Sequence, residues 1–182
     1  AEFLDYLVTN RGADCPPGKA VYSPMCDEKG GVVDDLIAYR QNDGSFLVVV
    51  NASNRSKDWG WMNSRTGLFD VELKDVSPEW GLLAVQGPQA EEYLTGHGFP
   101  GLSSLKRFHL AAVNWNGREL LVSRTGYTGE DGFEIFVPAG EAEAFARDIG
   151  AGAELPWIGL GARDSLRLEA GLPLYGHEMS ET

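Results

Sequence analysis

Val32-Val-Asp-Asp-Leu-Ile-Ala-Tyr-Arg40, then Gln41-Asn-Asp-Gly-Ser45, then Phe46-Leu-Val-Val-Val-Asn51: this stretch decides the fold class. Its outer segments are apolar and rich in β-branched residues, and the middle one carries Asp43-Gly44 at its tip. That combination predicts an antiparallel hairpin. One detail breaks the pattern. Asp34-Asp35 lie inside the first strand, where aspartate is disfavoured. Consecutive strand residues face opposite sides of a sheet, so one of the two carboxylates must face whatever the strand covers. Spacing alone leaves two readings open: an edge or bulged strand with solvated carboxylates, or a functional site at which a local rule is broken.

The same signals recur on either side. Lys19 to Met25 reads as a short strand, and Lys29-Gly30-Gly31 as a turn. Glu79 to Gln86 holds a strand, Leu82-Leu-Ala-Val85, stopped by Gly87-Pro88. Ala111 to Trp115 and Glu119 to Ser123 flank Asn116-Gly117, a favoured two-residue hairpin loop. Phe133 to Val137 is a further strand. Helical spacing marks the start of the chain (Phe3, Leu4, Leu7), Asn54 to Asn63 with Trp59 and Met62 inward, Gln89 to Thr95, and Glu141 to Ile149. Ala162 to Ala170 is a helix ended by Gly171. Antiparallel hairpins mixed with helices give an α+β class, antiparallel sheets with flanking helices. A composition boundary near Leu73 to Pro78 divides the chain into parts 1–75 and 76–182.

Bulk properties exclude some functions. At 182 residues the chain has room for one good core or two small ones. Its net charge of -12 argues against nucleic acid as a partner, since phosphate binding needs a basic surface. No apolar run approaches the roughly 20 residues that span a bilayer, so no membrane partner is expected. Cys15 and Cys26 form no metal-type pair, which reads as a reducing compartment. His97, His109 and His177 lack ligand spacing, and no metal is expected.

Two further segments stand out. In Arg124-Thr-Gly-Tyr-Thr-Gly-Glu-Asp-Gly132, glycine recurs at 126, 129 and 132, as in a tight irregular loop. It is neither a dinucleotide fingerprint nor a P-loop. Glu134 follows, alternating with Phe133 and Ile135, and shares a face with Phe136; a buried carboxylate there would need a partner. In Gly159-Leu-Gly-Ala-Arg163-Asp-Ser-Leu-Arg167, the two arginines lie four apart on one helix face, and Asp164 can pair with Arg167. Salt-bridged or solvated side chains explain both segments as well as a binding site does.

Taken in order, these segments resemble the aminomethyltransferase (T-protein) family of the glycine cleavage system. The resemblance rests on Tyr22 to Ile37, Val48 to Asp58, Ala84-Val-Gln-Gly-Pro-Gln-Ala90, Arg124 to Ile135, and Gly159 to Gly176, which occur in family order. It covers roughly half of the family's sequence and implies a central fragment. The two folate-cradling α+β domains of a three-domain cloverleaf would be present, the first N-terminally truncated, and the C-terminal β-domain absent. It assigns Asp35 to the key catalytic aspartate. It places Tyr22, Asn51 and the backbone near Val49 along the folate site, and Tyr127 near the pterin. Glu134 and Arg163 match the pterin-binding glutamate and arginine, and Asp34 matches a neighbour of unassigned role.

The implied reaction releases ammonia from an aminomethyl group on the dihydrolipoyl arm of a carrier, the H-protein. The carbon passes to tetrahydrofolate, giving 5,10-methylenetetrahydrofolate. Tetrahydrofolate is thus the co-substrate, and the lipoyl group belongs to the partner. The resemblance implies a monomer, cytoplasmic in a bacterium or in the mitochondrial matrix of a eukaryote, and an activity of the intact protein rather than of these residues alone. Two alternatives stand beside it: the folate domain of a sarcosine or dimethylglycine dehydrogenase-type enzyme, and a non-catalytic folate-binding relative.

Overall fold

A computed structural model describes residues 1–150 and 155–182. They divide into two compact units, Ala1–Asp75 with Pro173–Thr182, and Val76–Leu172. Pro173–Thr182 groups with the first unit although it follows the second in sequence. Backbone pairing is the reason: Val32 donates its N–H to the Ser180 carbonyl at 2.8 Å. Lys57 also reaches Tyr175 and Glu181.

In the first unit, α1 (Glu2–Leu7) buries Phe3, Leu4 and Leu7. Strands β1 (Ala20–Cys26), β2 (Val32–Arg40) and β3 (Phe46–Val50) form an antiparallel sheet in that order. The β2–β3 turn forms where Asp-Gly demands it. Gly44 takes φ 87°, a left-handed conformation that costs glycine nothing, and the Asp43 carboxylate accepts the Ser45 N–H at 2.9 Å. One face of the sheet packs Met25, Leu36 and Ala38, with Val48 and Val50, against α1.

Helix α2 (Arg55–Asn63) lies over this core. Trp61 and Met62 pack on it, whereas Trp59, expected to point inward, is half-buried and outside the cluster. The fully buried residue of α2 is Asp58. Positions 58, 61 and 62 follow helical spacing, so the inward face is centred on a carboxyl rather than on Trp59.

In the second unit, β4 (Trp80–Gln86), β5 (Leu110–Trp115), β6 (Arg118–Ser123) and β7 (Gly132–Pro138) form an antiparallel sheet in the order β4-β7-β6-β5. The β5–β6 loop takes φ 52° at Asn116 and 83° at Gly117, the pair of left-handed residues that a type I′ turn requires. Helices α3 (Ala90–Gly96), α4 (Ala142–Ile149) and α5 (Leu160–Glu169) complete the unit. Phe133, Ile135 and Val137 alternate along β7 and enter a core with Leu94, Phe99, Phe145 and Ile149. Phe99, Phe133 and Phe145 are fully buried, each contributing about 2–3 kcal/mol. Glu134 and Phe136 take the opposite face, as alternation requires.

Candidate functional site

The register of the first sheet sorts the two aspartates. Tyr22, Ile37 and Val49 pair across β1, β2 and β3 and form one row on one face. Asp35 lies two residues from Ile37, hence on the same face, half-buried. Asn51 follows Val50, which pairs with Leu36, and therefore falls opposite Asp35. The expected residues Tyr22, Asp35, Val49 and Asn51 are thus brought together on the open face. Asp34 takes the core face, with no exposure to solvent. The edge-strand reading does not apply to Asp34, because β2 is the central strand; the bulge reading points to the right place, since the register shifts between Met25, which pairs with Asp34, and Cys26, which pairs with Val32, leaving Val33 as the extra residue beside Asp34.

Asp34 keeps its charge off water through amides. It accepts the Asn51 backbone N–H at 3.2 Å, the Asn51 side-chain amide at 2.8 Å and the Asn54 side-chain amide at 2.8 Å. The Asn51 amide also donates to the Asp35 carboxylate at 2.8 Å. One NH₂ group therefore bridges both carboxylates, and this fixes which end of the Asn51 amide is nitrogen. Asn54 stands at the N-cap position of α2, yet its side chain makes no cap hydrogen bond. It is spent on Asp34 instead.

Behind Asp34 stands Asp58, also without solvent exposure. Neither of its carboxyl oxygens has a hydrogen-bond partner in the geometry of the described residues. Burial and the neighbouring Asp34 carboxylate push its pKa up to about 8, against the opposing pull of Lys57. The Lys57 ammonium is directed to the Val33 carbonyl, the Tyr175 hydroxyl and Glu181.

In the second unit, Glu134 pairs with Ala84 on β4 and Ser123 on β6. The buried Thr125 hydroxyl donates to its Oε2, and Ser123 and Thr125 are joined at 2.6 Å. Tyr127 carries the exposed Arg163 guanidinium over its ring, 4.6 Å from the centroid. No ion pair joins Glu134 to Arg163 among the described residues. Arg167, one turn on from Arg163, is buried and bound to Asp164 at 2.7 Å. A cavity of about 570 Å³ lies in this unit, lined by Leu83, Val85, Phe145, Ile149, Trp157 and Arg163 among others; neither Glu134 nor Tyr127 lines it.

The recurrent glycines have a cause that spacing could not name. The Gln86 side chain donates to the Thr125 and Phe133 carbonyls at 3.1 and 3.2 Å. A Cβ at Gly126 or Gly132 would overlap that side chain. Arg124 anchors the other end of the loop. It binds Asp131 and Glu91, each at 2.6 Å, and the carbonyls of Leu102 and Leu105. Its hydrogen bonds hold the Asp131 carboxyl below the usual range. Sequence reading missed Asn54, Asp58, Gln86 and Thr125. The glycines were the one signal for Gln86, since closely spaced glycines imply a near neighbour.

The sequence matches the GCVT N-terminal domain family over residues 1–182. The chain belongs to that family. An aminomethyltransferase of Thermoanaerobacter pseudethanolicus is 50% identical over 98% of the chain and 50% of its own length. One of Staphylococcus carnosus is 41% identical over 100% and 50%. The glycine cleavage system aminomethyltransferase T of Bartonella henselae superposes with a TM-score of 0.84 at 38% identity, covering 98% of the chain and 48% of that structure. A chain of heterotetrameric sarcosine oxidase from Corynebacterium shares the fold alone, with a TM-score of 0.53 and 15% identity. This GCVT N-terminal domain spans about half the length of the curated relatives it matches.

Proposed function

We propose that the intact protein is a tetrahydrofolate-dependent aminomethyltransferase of the glycine cleavage system, with Asp35 as its reacting carboxylate. The observation that carries this reading is the placement of Asp35. Within a chain whose curated relatives are aminomethyltransferases, it is the half-exposed carboxylate of the pair, oriented by Asn51 beside Tyr22 and Val49. Tetrahydrofolate supplies the acceptor nitrogens. Positive charge develops on the transferred carbon as ammonia leaves. A fixed carboxylate stabilises such charge and can move a proton. The carbon is delivered on the lipoyl arm of an H-protein and leaves as 5,10-methylenetetrahydrofolate.

Glu134 suits the pterin's adjacent N–H donors. Thr125 uses one acceptor position on Oε2, which leaves acceptors on both oxygens for a charge-assisted two-point contact. Arg163 can donate to the pterin's carbonyl side, with Tyr127 adding an aromatic surface. No helix is long and apolar enough to cross a membrane among the described residues. A monomer in the cytoplasm, meeting its carrier transiently, completes the reading. Its bacterial relatives support that setting.

Two substitutions in the intact reading frame test it. Asp35→Asn cuts folate-dependent ammonia release by two orders of magnitude or more while folate binding changes little; unchanged turnover removes Asp35 from the mechanism. Glu134→Ala weakens folate binding by about 1.5–3 kcal/mol, the usual worth of a charged hydrogen bond. Titration calorimetry with equal affinities would refute the pterin-edge role.

A further inference from the structure

Asp58 is the buried titratable group that the proposed chemistry leaves unused. Its neighbourhood is asymmetric. Asp34 has amide donors on both oxygens, so its anion is satisfied. Asp58 has none, and a buried carboxylate without donors keeps its proton. The charged groups acting on it are Asp34 and Asp35 from β2 and Lys57 from its own helix. From the C-terminal segment, Tyr175 and Glu181 engage Lys57. Geometry brings the two groups together: Asn54, one turn before Asp58 at the start of α2, reaches the Asp34 carboxylate at 2.8 Å, and the fully buried Asp58 lies on that same helix face.

We propose that Asp58 is a positioning residue for the one-carbon transfer: its protonated carboxyl donates to Asp34 and locks the Asp34–Asn51 pair that orients Asp35. The connection is continuous. Asp58 is fixed on α2, Asp34 holds the Asn51 amide, and the second hydrogen of that amide holds the Asp35 carboxylate. Loss of the Asp58 proton places a second anion beside Asp34, and the amide bridge to Asp35 loosens. The inference rests on the reading of Asp35 as the reacting group.

The test uses the intact protein with Asp58→Asn, which keeps an N–H donor toward Asp34 but cannot ionise, and Asp58→Leu, which keeps volume only. Turnover is followed from pH 6 to 10. In the wild type it falls as pH rises through about 8. Asp58→Asn retains turnover within about threefold at pH 7 and loses that alkaline limb. Asp58→Leu falls more than tenfold in kcat with KM little changed. An Asn variant as poor as the Leu variant, or one with an unaltered alkaline limb, overturns the proposal.

Carbon-13 titration of aspartate carboxyls gives a readout independent of activity. One carboxyl, absent from Asp58→Asn, titrates far above the rest. A wild-type Asp58 signal titrating near 4 overturns the shared proton. If that signal titrates high while wild-type and Asp35→Asn turnover are equal, the Asp35 reading fails and the carboxyl pair stands.

Discussion

The two units hold their carboxylates by opposite means. In the first, Asp34 is hydrogen-bonded by amides, and Asp58, buried behind it, has its pKa pushed up to about 8. In the second, Asp131 and Glu91 are held by a guanidinium, Arg124, whose own pKa is raised by those bonds. Amides supply directed donors without charge, so the carboxylates they hold stay reactive toward a third group. A guanidinium cancels the charge and holds the loop. The contrast gives the two units pH sensitivities of opposite sign: the Asp131 contribution is lost as pH falls, the Asp58 contribution as pH rises.

The largest expected effect tests the guanidinium side. Arg124→Met removes both ion pairs and the bonds to Leu102 and Leu105, and should cost about 2–4 kcal/mol in urea unfolding at pH 7. Asp131 contributes stability above its unfolded pKa of about 4, lost as pH falls through its lower folded value. The variant should therefore show a smaller acid-side loss than the wild type. A cost below about 0.5 kcal/mol would erase the contrast.

Next comes the amide side, with the opposite sign. Asp58 keeps its proton in the folded state above the pH at which the unfolded chain loses it. Its contribution is complete below about pH 4 and is lost as pH rises through about 8. Between those limits the wild type should lose about 2–4 kcal/mol more than Asp58→Asn, read as unfolding free energy against pH. Parallel curves would mean that Asp58 is charged when folded.

The smallest effect concerns packing. Gly126→Ala displaces Gln86 from the Thr125 and Phe133 carbonyls and should cost about 1–2 kcal/mol. Adding Gln86→Ala should restore part of that loss, because the clash disappears with the side chain. A double variant weaker than either single one would assign the glycine to something other than Gln86.

Much of this was legible in the chain. Asp43-Gly44 and Asn116-Gly117 named both hairpins, since few residues tolerate the left-handed conformations those turns take. Gly171, at φ 69°, marked the end of α5. Period-two alternation separated Glu134 from Phe133 and Ile135. The α2 face was not legible. Its inward position is an aspartate, and apolar periodicity carries no mark for a buried polar residue, so Trp59 took its place in the reading. Nor could spacing say which of Asp34 and Asp35 faced the core.

The sequence by itself determined the α+β class, the hairpins, the segments of the candidate site and the family to which the chain belongs. Turn chemistry and alternation are local properties, written wherever a residue tolerates one conformation and its neighbours do not. Tertiary structure alone decided that Asp34 is buried and Asp35 open, that one Asn51 amide bridges them, and that Asp58 is buried on the helix behind them. Those facts depend on strand register and on a helix laid over the sheet. Both join residues distant in sequence, through hydrogen bonds that neither partner specifies alone.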